Sequence, residues 1–286
     1  MADRFTVSVA QLKPHLGDVD ANLAKYEEAI GEARAQGAAL VVFPELSLTG
    51  YHLKDEVPAV AEPLDGTRLG RLKELSRDVS VLVGFVEETP DHRFFNSAAF
   101  LQAGEIAHVH RKVYLPTYGM FDENRYFARG QRVRAFDATL ARMAMLVCED
   151  LWHPSTAHIA ALDGAKLLLC ASSSPSRGVG DGAEGANENA QAWELLNRAY
   201  ATLYGVFLVY ANRVGFEDGV AFWGGSEVIA PGGEVLAKAP YYDEALLTVE
   251  IDTGAARRQR IAAPLLRDEN LDLTLRELAR IREESP

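Results

Sequence analysis

Short apolar runs alternate with amphipathic stretches over the first two-thirds of the chain, and this alternation narrows the fold more than any other feature. Segments 5–12, 39–43, 79–86, 143–147, 166–170 and 206–210 read as strands. Between them, Leu23, Tyr26, Ile30 and Ala33 recur at helical spacing behind Asp20, a candidate cap, and segment 68–78 carries Leu69, Leu72 and Leu75 on one side. Segments 155–161 and 187–204 also read as helices, the second with Trp193, Leu196, Tyr200 and Leu203 in a stripe. A switch between periods of about 2 and 3.6 is the signature of an α/β chain. Segments 96–102 and 105–109 flank Ala103-Gly104 as a hairpin, and strands at 226–230, 234–237 and 245–251 complete the set, so a mixed sheet or two stacked sheets is expected.

The chain has 286 residues, and its 29 basic and 41 acidic side chains leave a net charge of −12. With no long basic run, such a chain is a poor partner for nucleic acid and for an anionic membrane surface. No apolar run approaches the ~20 residues that span a bilayer, and no signal-peptide pattern precedes the first strand. The two cysteines, Cys148 and Cys170, both lie in or beside apolar runs, so a disulfide framework is not expected and a reducing cytoplasm fits best. One domain over 1–286 is expected, with a core over 5–251 and a tail over 252–286. In that tail the Arg257-Arg258-Gln259-Arg260 cluster reads as a solvated turn, and the amphipathic stretch 273–281 is a candidate for packing on a neighbouring subunit.

Three strand ends carry chemistry. The apolar run 143–147 stops at Cys148 and is followed by Glu149-Asp150; the run 39–43 stops at Pro44-Glu45; and His110-Arg111-Lys112 opens a long aromatic-rich loop over 111–130. Open α/β sheets bind ligands at their carboxyl edges, and loops of that length are usually functional. Each residue alone has a bland reading: Glu45 as a solvated carboxylate, Lys112 as part of a surface run, Cys148 as core. Together they suit amide hydrolysis through a thioester. Glu45 can take the thiol proton and return it to the leaving ammonia, while Lys112 donates to the oxyanion. No histidine is needed.

Two other patterns are decoys. Gly180-Asp181-Gly182-Ala183-Glu184-Gly185 fits G-x-G-x-x-G, but it starts well after its strand and its acidic residues would repel a pyrophosphate. Cys148, Asp150 and His153 imitate metal ligands without the further N or S donor that zinc requires. Cys170 has no motif around it and reads as core.

Phe43-Pro44-Glu45-Leu46, His110-Arg111-Lys112-Val113-Tyr114-Leu115-Pro116 and Cys148-Glu149-Asp150-Leu151-Trp152 resemble, in order, the Glu, Lys and Cys motifs of the nitrilase (carbon–nitrogen hydrolase) superfamily. The resemblance covers nearly the whole chain. It implies an α/β fold, an α-β-β-α four-layer sandwich that is dimeric or larger, with Glu45 as general base, Lys112 as oxyanion stabiliser, Cys148 as nucleophile and Glu123 as the second glutamate. It implies neither metal nor cofactor.

Segments 112–123, 212–215 and 222–226 look most like the glutaminase domain of glutamine-dependent NAD synthetases. By that resemblance Tyr51, Tyr118, Phe121, Glu149 and Trp152 hold a small amide such as glutamine, joined by a serine of 172–174, with Ser172 and Ser174 the candidates. The Ser-Gly-Gly phosphate loop of the synthetase part is absent from this sequence. The expectation is therefore a free-standing amidase, or a glutaminase-like subunit that works with a separate ATP-dependent synthetase. N-carbamoyl, aliphatic amide or nitrile hydrolysis is the alternative within the superfamily.

Overall fold

The computed structural model describes residues 4–176 and 188–284. The G-x-G-x-x-G segment at 180–185 lies outside the described residues. Two six-stranded sheets form the centre. The first has the order β14-β1-β2-β3-β4-β5, where β1 is Arg4–Gln11, β2 Ala38–Val42, β3 Ser80–Glu88, β4 Phe94–Gln102, β5 Glu105–Arg111 and β14 Ala245–Asp252. The second has the order β13-β12-β9-β8-β7-β6, where β6 is Ala135–Asp137, β7 Arg142–Val147, β8 Leu167–Ser172, β9 Phe207–Asn212, β12 Glu227–Ile229 and β13 Val235–Lys238. β10 (Val214–Glu217) and β11 (Val220–Trp223) form a separate hairpin. In each sheet three neighbouring strands are parallel (β1, β2, β3 and β7, β8, β9) and the outer strands antiparallel.

Period-2 alternation sorts the side chains of the first sheet. Val7, Val9, Leu40, Val42, Leu82, Ala98 and Phe100 face the second sheet, meeting Met143, Met145, Leu167 and Leu169 in one core. Val41, Val81, Val83, Phe85, Ala99 and Leu101 face the other way, beneath α1 (Val19–Ala35), α2 (Val57–Val60) and α3 (Thr67–Leu75). α6 (Pro154–Leu162) and α7 (Glu188–Tyr204) cover the outer face of the second sheet, which completes an α-β-β-α sandwich. Two one-turn helices, α4 (Glu123–Tyr126) and α5 (Glu149–Trp152), sit in loops beside the site.

Two local expectations are corrected. Asp18, not Asp20, caps α1 by accepting from Ala21 N, because the helix begins at Val19; Asp20 lies in its first turn and pairs with Arg68. The basic cluster is not a turn: it lies in α8 (Gly254–Ala262), and Arg260 is drawn inward to donate to the carbonyls of Ala165 and Tyr204. Residues 214–223, whose two ends fall in the motif segments 212–215 and 222–226, form the β10–β11 hairpin. The amphipathic tail forms α9 (Leu271–Glu284), which has no buried residue.

Candidate active site

Each principal candidate leaves a strand at a carboxyl end. Glu45 follows β2 by three residues and is fully buried. Its Oε1 accepts from Lys112 Nζ at 2.7 Å and from Asn96 Nδ2 at 2.8 Å, and its Oε2 from the backbone N–H of Ser173 at 2.8 Å. The Ser173 hydroxyl donates to the Glu45 carbonyl at 2.8 Å. The carboxylate is thereby held from both sheets.

Lys112 follows β5 and is also fully buried. Its backbone N–H donates to Asn96 O, and its Nζ bridges Glu45 and Glu123, at 2.7 and 2.6 Å. Burial alone would lower the ammonium pKa. The two carboxylates reverse that and hold it well above the ordinary lysine value. Glu123, in the first turn of α4, accepts from the Tyr51 hydroxyl at 2.5 Å. Burial, aided by the charge of Glu45 and opposed by Lys112, pushes its pKa up to about 7.

Cys148 follows β7, one residue beyond the strand end, and is buried. Its N–H donates to Ala171 O on β8, and its backbone stands at φ 44°, ψ −101°, a strained conformation for a residue with a Cβ. Ser172 Oγ donates to the sulfur at 3.4 Å and accepts from Tyr210 OH at 3.2 Å. Burial first, and then the charge of Glu45, raise the thiol pKa well above its usual value, with Lys112 opposing. The resting sulfur therefore keeps its proton, and a base must remove it as the reaction proceeds.

A cleft of about 140 Å³ opens over the thiol, lined by Tyr118, Phe121, Glu149, Trp152 and Ser174 together with Pro175, Asn189 and Trp193. Tyr118 OH donates to Glu149 Oε2 at 2.9 Å, and Ser174 Oγ accepts from Asn189 Nδ2 and Trp223 Nε1. The structure thus brings Glu45, Lys112, Glu123 and Cys148 together and places five of the expected binding residues in one cleft. Tyr51 and Ser172 are not among the residues lining it. Tyr51 stands behind Glu123 and lines a neighbouring cavity with His52, Phe121 and Tyr126, while Ser172 touches the sulfur itself.

Asn96, Asn189, Tyr210 and Trp193 complete the site without having been singled out for it, and Ser173, a member of the serine segment expected at the substrate, holds Glu45 instead. Trp193 appeared only as one member of a helical stripe, and Asn96 only as the start of a hairpin strand. No local pattern distinguishes an asparagine that holds a carboxylate from one at a strand end. The metal-like set is also accounted for: Asp150 accepts from three backbone amides and faces His110, while His153 stacks on Tyr114 at 3.5 Å between ring centroids.

Residues 6–261 match the carbon-nitrogen hydrolase family. The chain is 32% identical over 294 residues to a glutamine-dependent NAD(+) synthetase of Thermotoga maritima, covering 99% of this chain and 48% of that protein. The chloroplastic omega-amidase of Arabidopsis thaliana is 30% identical over 286 residues, covering 94% and 73% of the two chains. The crystal structure of a carbon-nitrogen hydrolase from Helicobacter pylori superposes with a TM-score of 0.83 at 28% identity, covering 96% and 98%. This chain spans about half the length of the NAD synthetases it matches. With relatives that extend across nearly all of it, the chain belongs to the carbon–nitrogen hydrolase family of enzymes.

Proposed function

We propose that the protein hydrolyses a small-molecule amide through a thioester on Cys148, with glutamine or a related ω-amide as substrate. The observation that carries this reading is the buried ammonium of Lys112 fixed between Glu45 and Glu123 beside a strained, buried thiol. Glu45 takes the Sγ proton as sulfur attacks the amide carbon, Lys112 donates to the oxyanion, and Glu45 returns the proton to the leaving nitrogen, which departs as ammonia. A water, deprotonated by Glu45, then attacks the thioester and restores the thiol. Glu123, held by Tyr51, keeps the lysine charged and aimed.

Glutamine suits the cleft. Glu149 is a carboxylate for an α-ammonium, and Phe121, Trp152 and Trp193 offer apolar walls for two methylenes. The similarity to NAD synthetases supports the same substrate and favours a second reading, in which a separate ATP-dependent synthetase consumes the ammonia. A reducing cytoplasm suits two cysteines that are both free and buried. Among the described residues no helix is long and apolar enough to cross a membrane. Homo-oligomerisation is supported by α9, whose Leu271, Leu275 and Leu278 lie on one face and are 45%, 58% and 59% exposed.

The test is ammonia release by wild type and Cys148→Ala across glutamine, asparagine, N-carbamoyl amines, simple amides and nitriles. Release from glutamine that disappears in Cys148→Ala is expected. Silence on glutamine with turnover of another compound would reassign the substrate, and turnover surviving in Cys148→Ala would overturn the thioester. Mixing with a single-domain ATP-dependent synthetase then separates the two readings, since a dedicated supplier is activated by its partner.

A further inference from the structure

Asp150 lies two residues after Cys148, in α5, and is completely buried. Its carboxylate reaches two separate pieces of the site. Oδ2 accepts from the N–H of Val147, the residue before Cys148, at 3.0 Å, and pairs with His110 Nε2 at 2.8 Å. Oδ1 accepts from the N–H groups of Val113 and Tyr114, the two residues after Lys112, at 2.9 and 3.0 Å. The helical turn that carries Asp150 is itself tied down by Thr156 Oγ1, which donates to Asp150 O at 2.6 Å.

Cys148 and Lys112 belong to different sheets: β7 of the second sheet leads into the thiol, and β5 of the first leads into the ammonium. Nothing in either sheet's own ladder sets the distance between sulfur and Nζ. We infer that Asp150 is a positioning residue that clamps the Cys148 elbow to the Lys112 loop and so sets the register between nucleophile and oxyanion donor. This rests on the roles proposed above for Cys148 and Lys112. Four contacts use the roughly four acceptor sites of a carboxylate, so Asp150 has no capacity left for substrate or for the travelling proton. The same contacts also oppose the relaxation of the strained Cys148 backbone, because Val147 is anchored immediately before it. Placement errors of about 1 Å in such a site cost about a hundredfold in rate.

The decisive variant is Asp150→Asn. An amide offers one acceptor oxygen and one NH₂ donor, so it can satisfy Val113 and Tyr114 or Val147, but not both sides. The clamp opens while the side-chain volume is kept. Two rates are measured at Cys148: single-turnover acylation by the amide that wild type turns over best, and alkylation by iodoacetamide, followed on the Cys148 peptide. Alkylation needs the thiolate and no oxyanion donor, whereas acylation needs both in register. The expected result is an acylation rate lowered about a hundredfold with little change in the half-saturating amide concentration of the same single-turnover series, and alkylation near the wild-type rate. Wild-type acylation in folded Asp150→Asn, or equal losses in the two rates, would overturn the inference. If that variant does not fold, His110→Leu removes one of the four contacts and should lower the ratio of acylation to alkylation in the same sense; an unchanged ratio there would overturn it equally. Because the readout is a ratio on whichever amide is turned over, a wrong assignment of glutamine leaves the test intact.

Discussion

At the scale of single residues, buried charge decides what the site can do and what it costs to keep. Lys112 lies between two carboxylates with no access to water, an arrangement in which removing either sign exposes the other to a low dielectric. Another buried acid lies away from the site. Glu227, on β12, accepts from Asn197 Nδ2 at 2.9 Å, and burial raises its pKa from 4.5 to about 7. A raised acid favours the folded state while it is protonated. Its contribution is complete below about pH 4.5 and is lost as pH rises through about 7. Above that the fold carries an unfavourable buried charge on the order of 3 kcal/mol. Glu227→Gln is therefore expected to stabilise the protein by roughly 2–3 kcal/mol at pH 8 and by little near pH 4.5. Denaturant unfolding of both proteins at the two pH values checks this. Glu123 shifts in the same direction but is present in both proteins, so the difference belongs to Glu227. A gain independent of pH would contradict the assignment.

At the scale of elements, the carboxyl end of β2 works only because β3 lets it pass close by. A Cβ on Gly84 would stand 2.2 Å from Pro44 O and 3.0 Å from Glu45 Cα. No flexible side-chain end is available to give way, so the backbone carrying Glu45 must move. Gly84→Ala is expected to lose about 1–3 kcal/mol of stability by overpacking. It should also lower kcat well below the melting transition, because the displaced residue is the proposed base. Thermal melts and steady-state kinetics on one preparation measure both. Full activity with lowered stability would detach Glu45 from the chemistry.

The whole molecule adds what no element holds. Glu45 and Lys112 come from one sheet and Cys148 from the other, so the site exists only when the two sheets are stacked. At the outside, α9 presents a leucine row that this chain does not cover. If a second copy covers it, sedimentation velocity should show a species heavier than the 31.3 kDa chain, and Leu275→Glu with Leu278→Glu should shift it toward monomer. A wild-type monomer, or an oligomer indifferent to those changes, would assign that face elsewhere.

The alternation of strand and helix, the hairpin at Ala103-Gly104, and Glu45, Lys112 and Cys148 as the residues to watch were all legible in the sequence. Periodicity and strand-end polarity are local, and each is written within about ten residues of itself. Even locally, the choice of Asp18 over Asp20 as cap turned on where α1 begins, a boundary that patterns blur. The supports of the site were not legible. Asn96 and Ser173 reach Glu45 across 51 and 128 residues, and Asp150 reaches Val113 across 37. Arg260, one charge in a basic run, travels 95 residues to the carbonyl of Ala165. These pairings depend on sheet register and on how one sheet is stacked over the other. A residue's own neighbourhood in the chain holds no trace of them. The sequence therefore determined which reactive groups stand at the strand ends, and only the tertiary structure decided what holds them in line.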